Sequence, residues 1–303
     1  MRHKDLRRPH HRNALWPHGG QKRGKANTRV ARKLPLSPQR ELAVDLTYAD
    51  YLHVEDLLAL QKPRSDPAEH DELLFIVVHQ AYELWFKLLL HELDKVKVDF
   101  IANRTYPAIS TFKRVRTVMK VAVEQVDIVE TLTPMSFNSF RDRLDKASGF
   151  QSSQFREMEF LLGYKRAEML KHQKAGTPAY DQLVKRLNEP SVVDTFYAFL
   201  AHHGVAIPEH LATRDLTQPT QPDEVVEEGI LRLYKSQPDL EILFELMTDF
   251  DEGLQEWRYR HIKLVERTIG SKRGTGGSLG VEFLKRSLFH PVFPDLWAIR
   301  HRL

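Results

Sequence analysis

The chain has 303 residues, of which 42% are hydrophobic and 28% are charged, and it has no cysteine. This composition is typical of a soluble globular protein with a large core, and the lack of cysteine excludes disulfides, thiolate metal sites and a cysteine nucleophile. A large core without disulfides favours a cytoplasmic protein. No apolar run approaches the roughly 20 residues of a membrane span, so no membrane is expected.

The net charge of +4 is spread unevenly along the chain. Residues 1–37 carry 11 of the 45 basic residues and one of the 41 acidic residues, so this segment is +10 and the remainder is −6. We expect residues 1–42 to be a disordered basic extension and residues 43–303 to be a single domain. Binding to an anionic surface, a transit peptide and an upstream start in the gene model remain open for the extension. The acidic remainder gives no reason to expect nucleic acid.

The predicted elements are helices in chain order. Residues 47–61 predict a short extended piece that leads into a helix, and a proline-rich break follows. Asp71 is the predicted N-cap of a strong amphipathic helix, and Thr133 that of a short one. Further helices are predicted over residues 107–132, 150–172, 178–187, 190–203, 222–235, 239–269 and 281–289. Because alternation with period two is almost absent, we predict an all-α, bundle-like domain whose long helices can enclose a cofactor.

One helical stripe near the C-terminus carries a single ionisable residue, His261. The stripe comprises Leu254, Trp257, His261, Leu264, Val265 and Thr268. A neutral imidazole on an apolar helix face is either a buried core histidine or a metal ligand, and haem iron is the metal that suits it best.

A second apolar face carries Phe75 and His79 at i and i+4. Its imidazole is either a core histidine or a hydrogen-bonding group beside a ring that can stack on an aromatic substrate. Arg141 follows Phe137 and Phe140 on the short helix. Its guanidinium can either bind a carboxylate beside this apolar wall or pair with a neighbouring aspartate.

The glycine-rich segment 274–278 follows a helix rather than a strand and lacks the phosphate-binding Lys. Nucleotide binding is therefore rejected, which leaves a flexible connector or a loop that closes over a polar ligand with the Thr275 hydroxyl. The spacings of a di-iron carboxylate site and of a zinc hydrolase are both missing.

Five segments together resemble the tryptophan 2,3-dioxygenase family, over about residues 43–300. They are LTYADYL (46–52), HDELLFIVVHQAYELWFKLLLHELD (70–94), LTPMSFNSFRDRL (132–144), ASGFQSSQFREMEFLLG (147–163) and WRYRHIKLVERTIGSKRGTGGSLGVEFL (257–284). The chain lacks the long insertion of animal members, which favours the bacterial type.

The resemblance implies a helical homotetramer with one haem b per subunit, and opening of the indole ring of L-tryptophan by O2 to N-formyl-L-kynurenine, the first step of the kynurenine pathway. It implies His261 as the axial haem ligand and His79 as the imidazole that faces the indole N–H. The other roles it implies are substrate contact by Phe75, Phe137, Arg141, Thr275, Tyr48 and Tyr51, and a place near a haem propionate for Ser148. Tyr48 is expected to reach a neighbouring subunit.

Three positions depart from the pattern expected around the site. Phe137 stands where some members have Tyr, and Val78 and Ala81 stand where Gln and Thr are expected. The main alternative is a related haem monooxygenase that acts on a substituted tryptophan in specialised metabolism. A haem-binding sensor and a nucleic-acid binder driven by the basic extension are the alternatives from another class.

Overall fold

A computed structural model of the chain describes residues 45–270, 272 and 280–303. Within them the structure is helical and has no strand, which confirms the predicted all-α class. The α-helices in chain order are α1 Tyr48–Leu52, α2 Val54–Leu58, α3 His70–Ile101, α4 Thr105–Glu130, α5 Pro134–Arg141, α6 Ser153–Leu161, α7 Pro178–Asn188, α8 Val192–His202, α9 Glu209–Ala212, α10 Glu224–Ser236, α11 Pro238–Ile269, α12 Val281–Lys285 and α13 Pro294–Ala298.

The chain divides into two compact units between Leu52 and His53. In the first unit, the structure describes the short helix α1, whose start is held by Thr47: the amide of Asp50 donates to the Thr47 hydroxyl at 3.1 Å. The second unit contains all the other helices. The predicted boundary between residues 42 and 43 lies outside the described residues and stays a prediction.

The core of the second unit lies between three long helices and their neighbours. α4 packs against both α3 and α11, and α3 also packs against α6 and α8. Buried aromatic rings fill the centre, where the centroids of Phe100 and Phe199 lie 5.1 Å apart and those of Phe196 and Phe244 lie 5.9 Å apart. Such packing fixes the long helices relative to one another, and with them any side chain they carry into a pocket.

The helix α3 is the one described helix that is long and apolar enough, by length and composition alone, to cross a membrane. A core helix of a globular domain meets the same criteria, and α3 packs against α4, α6 and α8. The helix also carries buried acidic groups at Glu72, Glu92 and Asp99, two of which form ion pairs with arginines of the chain.

Several predicted boundaries are wrong for local reasons. The extended piece predicted at the start of residues 47–61 is absent from the described residues, since 48–52 and 54–58 are already helical. Asp71 is not an N-cap: α3 begins at His70, and the Glu72 carboxylate accepts the backbone N–H groups of Arg64 and Ser65 at 2.7 and 2.9 Å.

The helix predicted over residues 150–172 is also interrupted. α6 ends at Leu161, and Gly163 follows with φ +97°, a conformation that L side chains rarely adopt. A 3₁₀ turn then spans Ala167–His172. The last predicted helix is shorter than expected, since α12 ends at Lys285. The predicted Thr133 cap is confirmed, because its hydroxyl accepts the Ser136 amide at 3.1 Å.

Candidate active site

Six of the nine predicted site residues line one pocket of the second unit. They are Phe75, His79, Phe137, Arg141, Ser148 and His261. The pocket walls come from α3, α4, α5, the segment 147–152, α6, α11 and α12, and most of the lining side chains are apolar. Residues from four separate parts of the sequence therefore meet around one largely apolar space, as expected for a small-molecule site.

The wall formed by α3 carries an imidazole whose proton position is defined by its hydrogen bond. His79 Nδ1 lies 2.7 Å from the backbone carbonyl oxygen of Phe75. A carbonyl only accepts, so Nδ1 carries the hydrogen and donates it, and Nε2 is left as the acceptor of the ring. Burial lowers the pKa of His79 below its ordinary value, so the ring is neutral at pH 7.

Aromatic rings surround this imidazole. The Phe75 ring centroid lies 4.1 Å from that of His79 and 5.7 Å from those of Phe137 and Phe140. Phe137 and Phe140 are buried residues of α5. The Thr133 cap and Pro134 in the first turn fix the residue at which this helix begins. The wall is thus a cluster of flat apolar surfaces around one hydrogen-bond acceptor, which suits a planar aromatic ligand with one N–H group.

Arg141 is the last residue of α5, and its half-buried side chain lines the same pocket. Because α5 packs on both α3 and α11, the helix places Arg141 in the same pocket as the aromatic wall. A planar guanidinium beside an apolar surface is well suited to bind a carboxylate with two parallel hydrogen bonds.

A second wall of the pocket is formed by α11, where the imidazole is His261. Its ring is stacked on the indole of Trp257 one turn earlier, with centroids 5.0 Å apart and planes only 6° from parallel. Burial, followed by repulsion from the protonated form of His79, lowers the pKa of His261 to about 4. No hydrogen bond to this ring is made within the described part of the chain, so the neutral imidazole keeps a nitrogen lone pair for a metal.

The residues of the pocket fit a haem better than a metal ion held by protein alone. Among the described residues, no group of three or more histidine, aspartate or glutamate side chains could hold a metal ion. A metal at His261 therefore needs most of its ligands from a prosthetic group, and a porphyrin supplies four nitrogens within a flat apolar body. The apolar lining of the pocket and the single neutral imidazole meet both requirements.

The segment 147–152 closes one side of the pocket. Ser148 starts a 3₁₀ turn, where its hydroxyl accepts the Phe150 amide at 3.4 Å, and the Ser152 hydroxyl accepts the Phe155 amide at 3.1 Å. Gly280 also lines the pocket, with φ +61°, and a Cβ there would meet the Lys272 carbonyl oxygen at 3.0 Å. A glycine is therefore required where the chain returns to the pocket.

Three predicted site residues are not among those that the pocket brings together. Thr275 lies outside the described residues. Tyr48 and Tyr51 lie on α1 in the first unit, where their side chains are exposed. Their proposed contacts with the substrate stay predictions.

The pocket residues that were not identified from the sequence include two arginines. Arg156 on α6 and Arg258 on α11 are both buried and both line the pocket. The available signal was weak, since Arg156 and Glu159 at i and i+3 look like an ordinary pair of charges on a helix surface.

The chain is similar in sequence to known proteins that share one name. The family model described as tryptophan 2,3-dioxygenase matches residues 37–204 and 228–303. A protein of that name from Herpetosiphon aurantiacus is 52% identical over 84% of this chain and 97% of its own length. Proteins of the same name from Anaeromyxobacter sp. and Bacillus thuringiensis are 46% and 42% identical, covering 85% and 86% of this chain and 96% and 93% of their own lengths.

Proposed function

Because the chain belongs to the tryptophan 2,3-dioxygenase family, we propose that it opens the indole ring of L-tryptophan with O2 to give N-formyl-L-kynurenine. The observation that carries this proposal is that two neutral imidazoles, His79 and His261, line the same apolar pocket as Arg141. We assign the reaction to the first step of tryptophan catabolism by the kynurenine pathway.

The cofactor of the proposed reaction is haem b, and His261 would hold it by binding its iron. When bound, haem would supply the redox-active iron that the reaction with O2 requires. Both atoms of O2 enter the product and the substrate supplies the four electrons, so no external reductant is consumed in a turnover.

The substrate is held by residues of the α3 and α5 walls. The rings of Phe75 and Phe137 bury the indole, which contributes a few kcal/mol. Nε2 of His79 accepts the indole N–H, and the neighbouring carbonyl of Phe75 keeps Nδ1 protonated so that Nε2 stays an acceptor. Arg141 binds the substrate carboxylate, which contributes about 1.5–3 kcal/mol. Thr275 contacts the ammonium and carboxylate groups and orders the glycine segment.

The oligomeric state is part of the proposal. We propose a cytoplasmic homotetramer in which Tyr48 and Tyr51 contact the substrate and Tyr48 reaches the pocket of a neighbouring subunit. The exposure of both tyrosines in the single chain supports this, since side chains of their size are commonly buried in interfaces. Light scattering of the purified protein tests the assembly.

An absorption spectrum of the purified protein, followed by addition of L-tryptophan under air, tests the proposed activity. We expect a Soret band from the haem and then growth of the near-ultraviolet band of N-formylkynurenine. Turnover under heavy-isotope O2 should give a product with two labelled atoms. A product with one labelled atom would instead indicate a monooxygenase and overturn the proposal.

A further inference from the structure

Two glutamine side chains of neighbouring helices donate to backbone carbonyls of α3 on either side of His79. Gln125 of α4 donates from Nε2 to the carbonyl oxygen of Val78 at 3.0 Å. Gln154 of α6 donates from Nε2 to the carbonyl oxygen of Glu83 at 2.9 Å. The imidazole of the α3 wall therefore lies in a stretch of helix that is held from two sides.

Both glutamines are themselves held by a second contact with α3. The Trp85 indole N–H donates to Gln125 Oε1 at 3.2 Å, and Gln154 Nε2 also donates to the Glu83 carboxylate at 2.8 Å. Gln125 is buried, and a buried amide keeps its protein partners because water does not replace them. Each amide therefore has a defined orientation, and the carbonyl it contacts has a defined position relative to α4 or α6.

These contacts are not needed to satisfy the backbone of α3. Val78 and Glu83 lie inside a continuous helix of 32 residues, where each carbonyl accepts the amide four residues later. The neighbours of Gln125 on α4 include Ala122 and Val126, which are apolar and buried. An amide among them adds little net stability. It is directional, however, so it fixes the position of one helix along the other in a way that apolar contact alone does not.

A third contact of the same helix pair starts from the pocket itself. Tyr82 lines the pocket, and its hydroxyl donates to a backbone carbonyl oxygen of α4 at 2.9 Å. Val78, Tyr82 and Trp85 follow one another at i, i+4 and i+7, so they form one stripe of α3 that faces α4. Because α4 also lines the pocket, the position of α3 along α4 determines where His79 lies relative to the other walls.

We propose that Gln125 and Gln154 are positioning residues, which hold α3 so that Nε2 of His79 meets the indole N–H of the substrate. This inference rests on the proposed function. A hydrogen bond weakens steeply once its atoms move out of line or beyond about 3.2 Å. A small shift of α3 would therefore cost this contact even where the aromatic wall still binds the indole ring.

The proposal is tested by comparing L-tryptophan with its benzothiophene analogue, in which a sulfur atom replaces the indole N–H. Binding of each compound to the haem-loaded protein is measured without O2, from the change in the Soret band. The comparison is made in the unchanged protein, in Gln125→Met and in Gln154→Met, which keep the length of the side chain and lose its amide. Thr111→Val is the matched control, because it removes another buried hydrogen bond of α4, to the Pro107 carbonyl, and Thr111 does not line the pocket.

We expect the unchanged protein to bind L-tryptophan about 2- to 10-fold more tightly than the analogue, the range for one hydrogen bond between neutral groups. In Gln125→Met this ratio should fall toward one, and Gln154→Met should lower it in the same direction. Thr111→Val should keep the ratio of the unchanged protein. If Gln125→Met does not fold, Trp85→Phe releases the Gln125 amide without removing it and should also lower the ratio.

Three outcomes overturn the inference. An unchanged ratio in Gln125→Met or in Gln154→Met removes that glutamine from the positioning of His79, while the preference of the unchanged protein still supports the proposed function. An equal fall in Thr111→Val shows that the loss of any buried hydrogen bond has this effect. If the unchanged protein binds both compounds equally, His79 makes no contact with the indole N–H, and that part of the proposed function fails together with the inference.

Discussion

The two walls of the pocket each present a neutral imidazole, but they hold it in different ways. On α3, a hydrogen bond from Nδ1 to the Phe75 carbonyl fixes both the ring and its tautomer. On α11, the parallel indole of Trp257 fixes the plane of the His261 ring without a hydrogen bond from any described residue. A hydrogen bond determines which nitrogen carries the proton, whereas stacking orients a ring and leaves its nitrogens available.

This difference separates the two proposed roles. A residue that must accept a substrate N–H needs one nitrogen that is always an acceptor, which the His79 arrangement provides. A residue that must bind a metal needs a nitrogen lone pair that no other group uses, which the His261 arrangement provides. The following substitutions test whether the α3 wall binds the substrate and the α11 wall binds the haem.

The largest effect is expected for His261→Ala, which removes the proposed haem ligand from the α11 wall. The variant should lose the Soret signature of the bound haem and all turnover, because no second imidazole takes the place of the first on this wall. His202→Ala, which removes an exposed imidazole from α8, is the control and should keep both. A full Soret signature and full turnover in His261→Ala would refute the assignment.

Arg141→Ala should damage substrate binding and leave the haem in place. We expect the KM for L-tryptophan to rise about 10- to 100-fold with a small change in kcat, because a charge-assisted contact to the carboxylate is lost. Arg143→Ala removes an exposed arginine two residues away and should leave the KM unchanged. Steady-state kinetics measure both, and an unchanged KM in Arg141→Ala would remove this residue from the carboxylate role.

Trp257→Leu should loosen the α11 wall without removing its ligand. Loss of the stacked ring should speed haem dissociation about two- to tenfold, as expected for one aromatic pair. Trp257→Phe keeps an aromatic face under His261 and should show a smaller change. Equal changes in the two variants would mean that volume, not stacking, supports the imidazole.

The smallest effect concerns pH and the α3 wall. Burial lowers the pKa of His79 from 6.5, so the protonated form, which cannot accept the indole N–H, accumulates only below that value. We expect kcat/KM to stay level from about pH 8 to about pH 6.5 and to fall at lower pH.

A non-titrating variant isolates this contribution. His79→Gln keeps a side-chain acceptor but cannot be protonated, so the part of the acid decline that His79 causes should disappear from its profile. A decline in the unchanged protein centred at or above pH 6.5 would show that His79 has an ordinary pKa and is not buried in the working enzyme.

The helical spacing of the sequence predicts which residues of the site are neighbours on one helix. It does not predict that residues of different helices line the same pocket. Phe75 with His79, and Trp257 with His261, are i and i+4 neighbours, and helical geometry alone places each pair on one face. That the two faces line one pocket depends on how α5 packs on α3 and α11, and only the family resemblance pointed to it from sequence.

The features that the sequence did not predict depend on tertiary contacts. Arg156 has the spacing of a surface ion pair, and only the packing of α6 shows that its guanidinium is buried in the pocket wall. The end of α6 was likewise missed, because a single glycine at residue 163 interrupts a pattern that is otherwise helical. Sequence periodicity describes the faces of one helix, whereas the burial of a charged side chain depends on how several helices pack together.

The helix α11 runs unbroken for 32 residues, so it is about 48 Å long. Its first half carries buried core rings such as Phe244 and Phe250, while His261 lies in its last third. Because one continuous helix connects them, a substitution at Phe244 that tilts α11 would also move His261, the proposed haem ligand. The proposed reaction would then depend on packing well away from any atom that reacts.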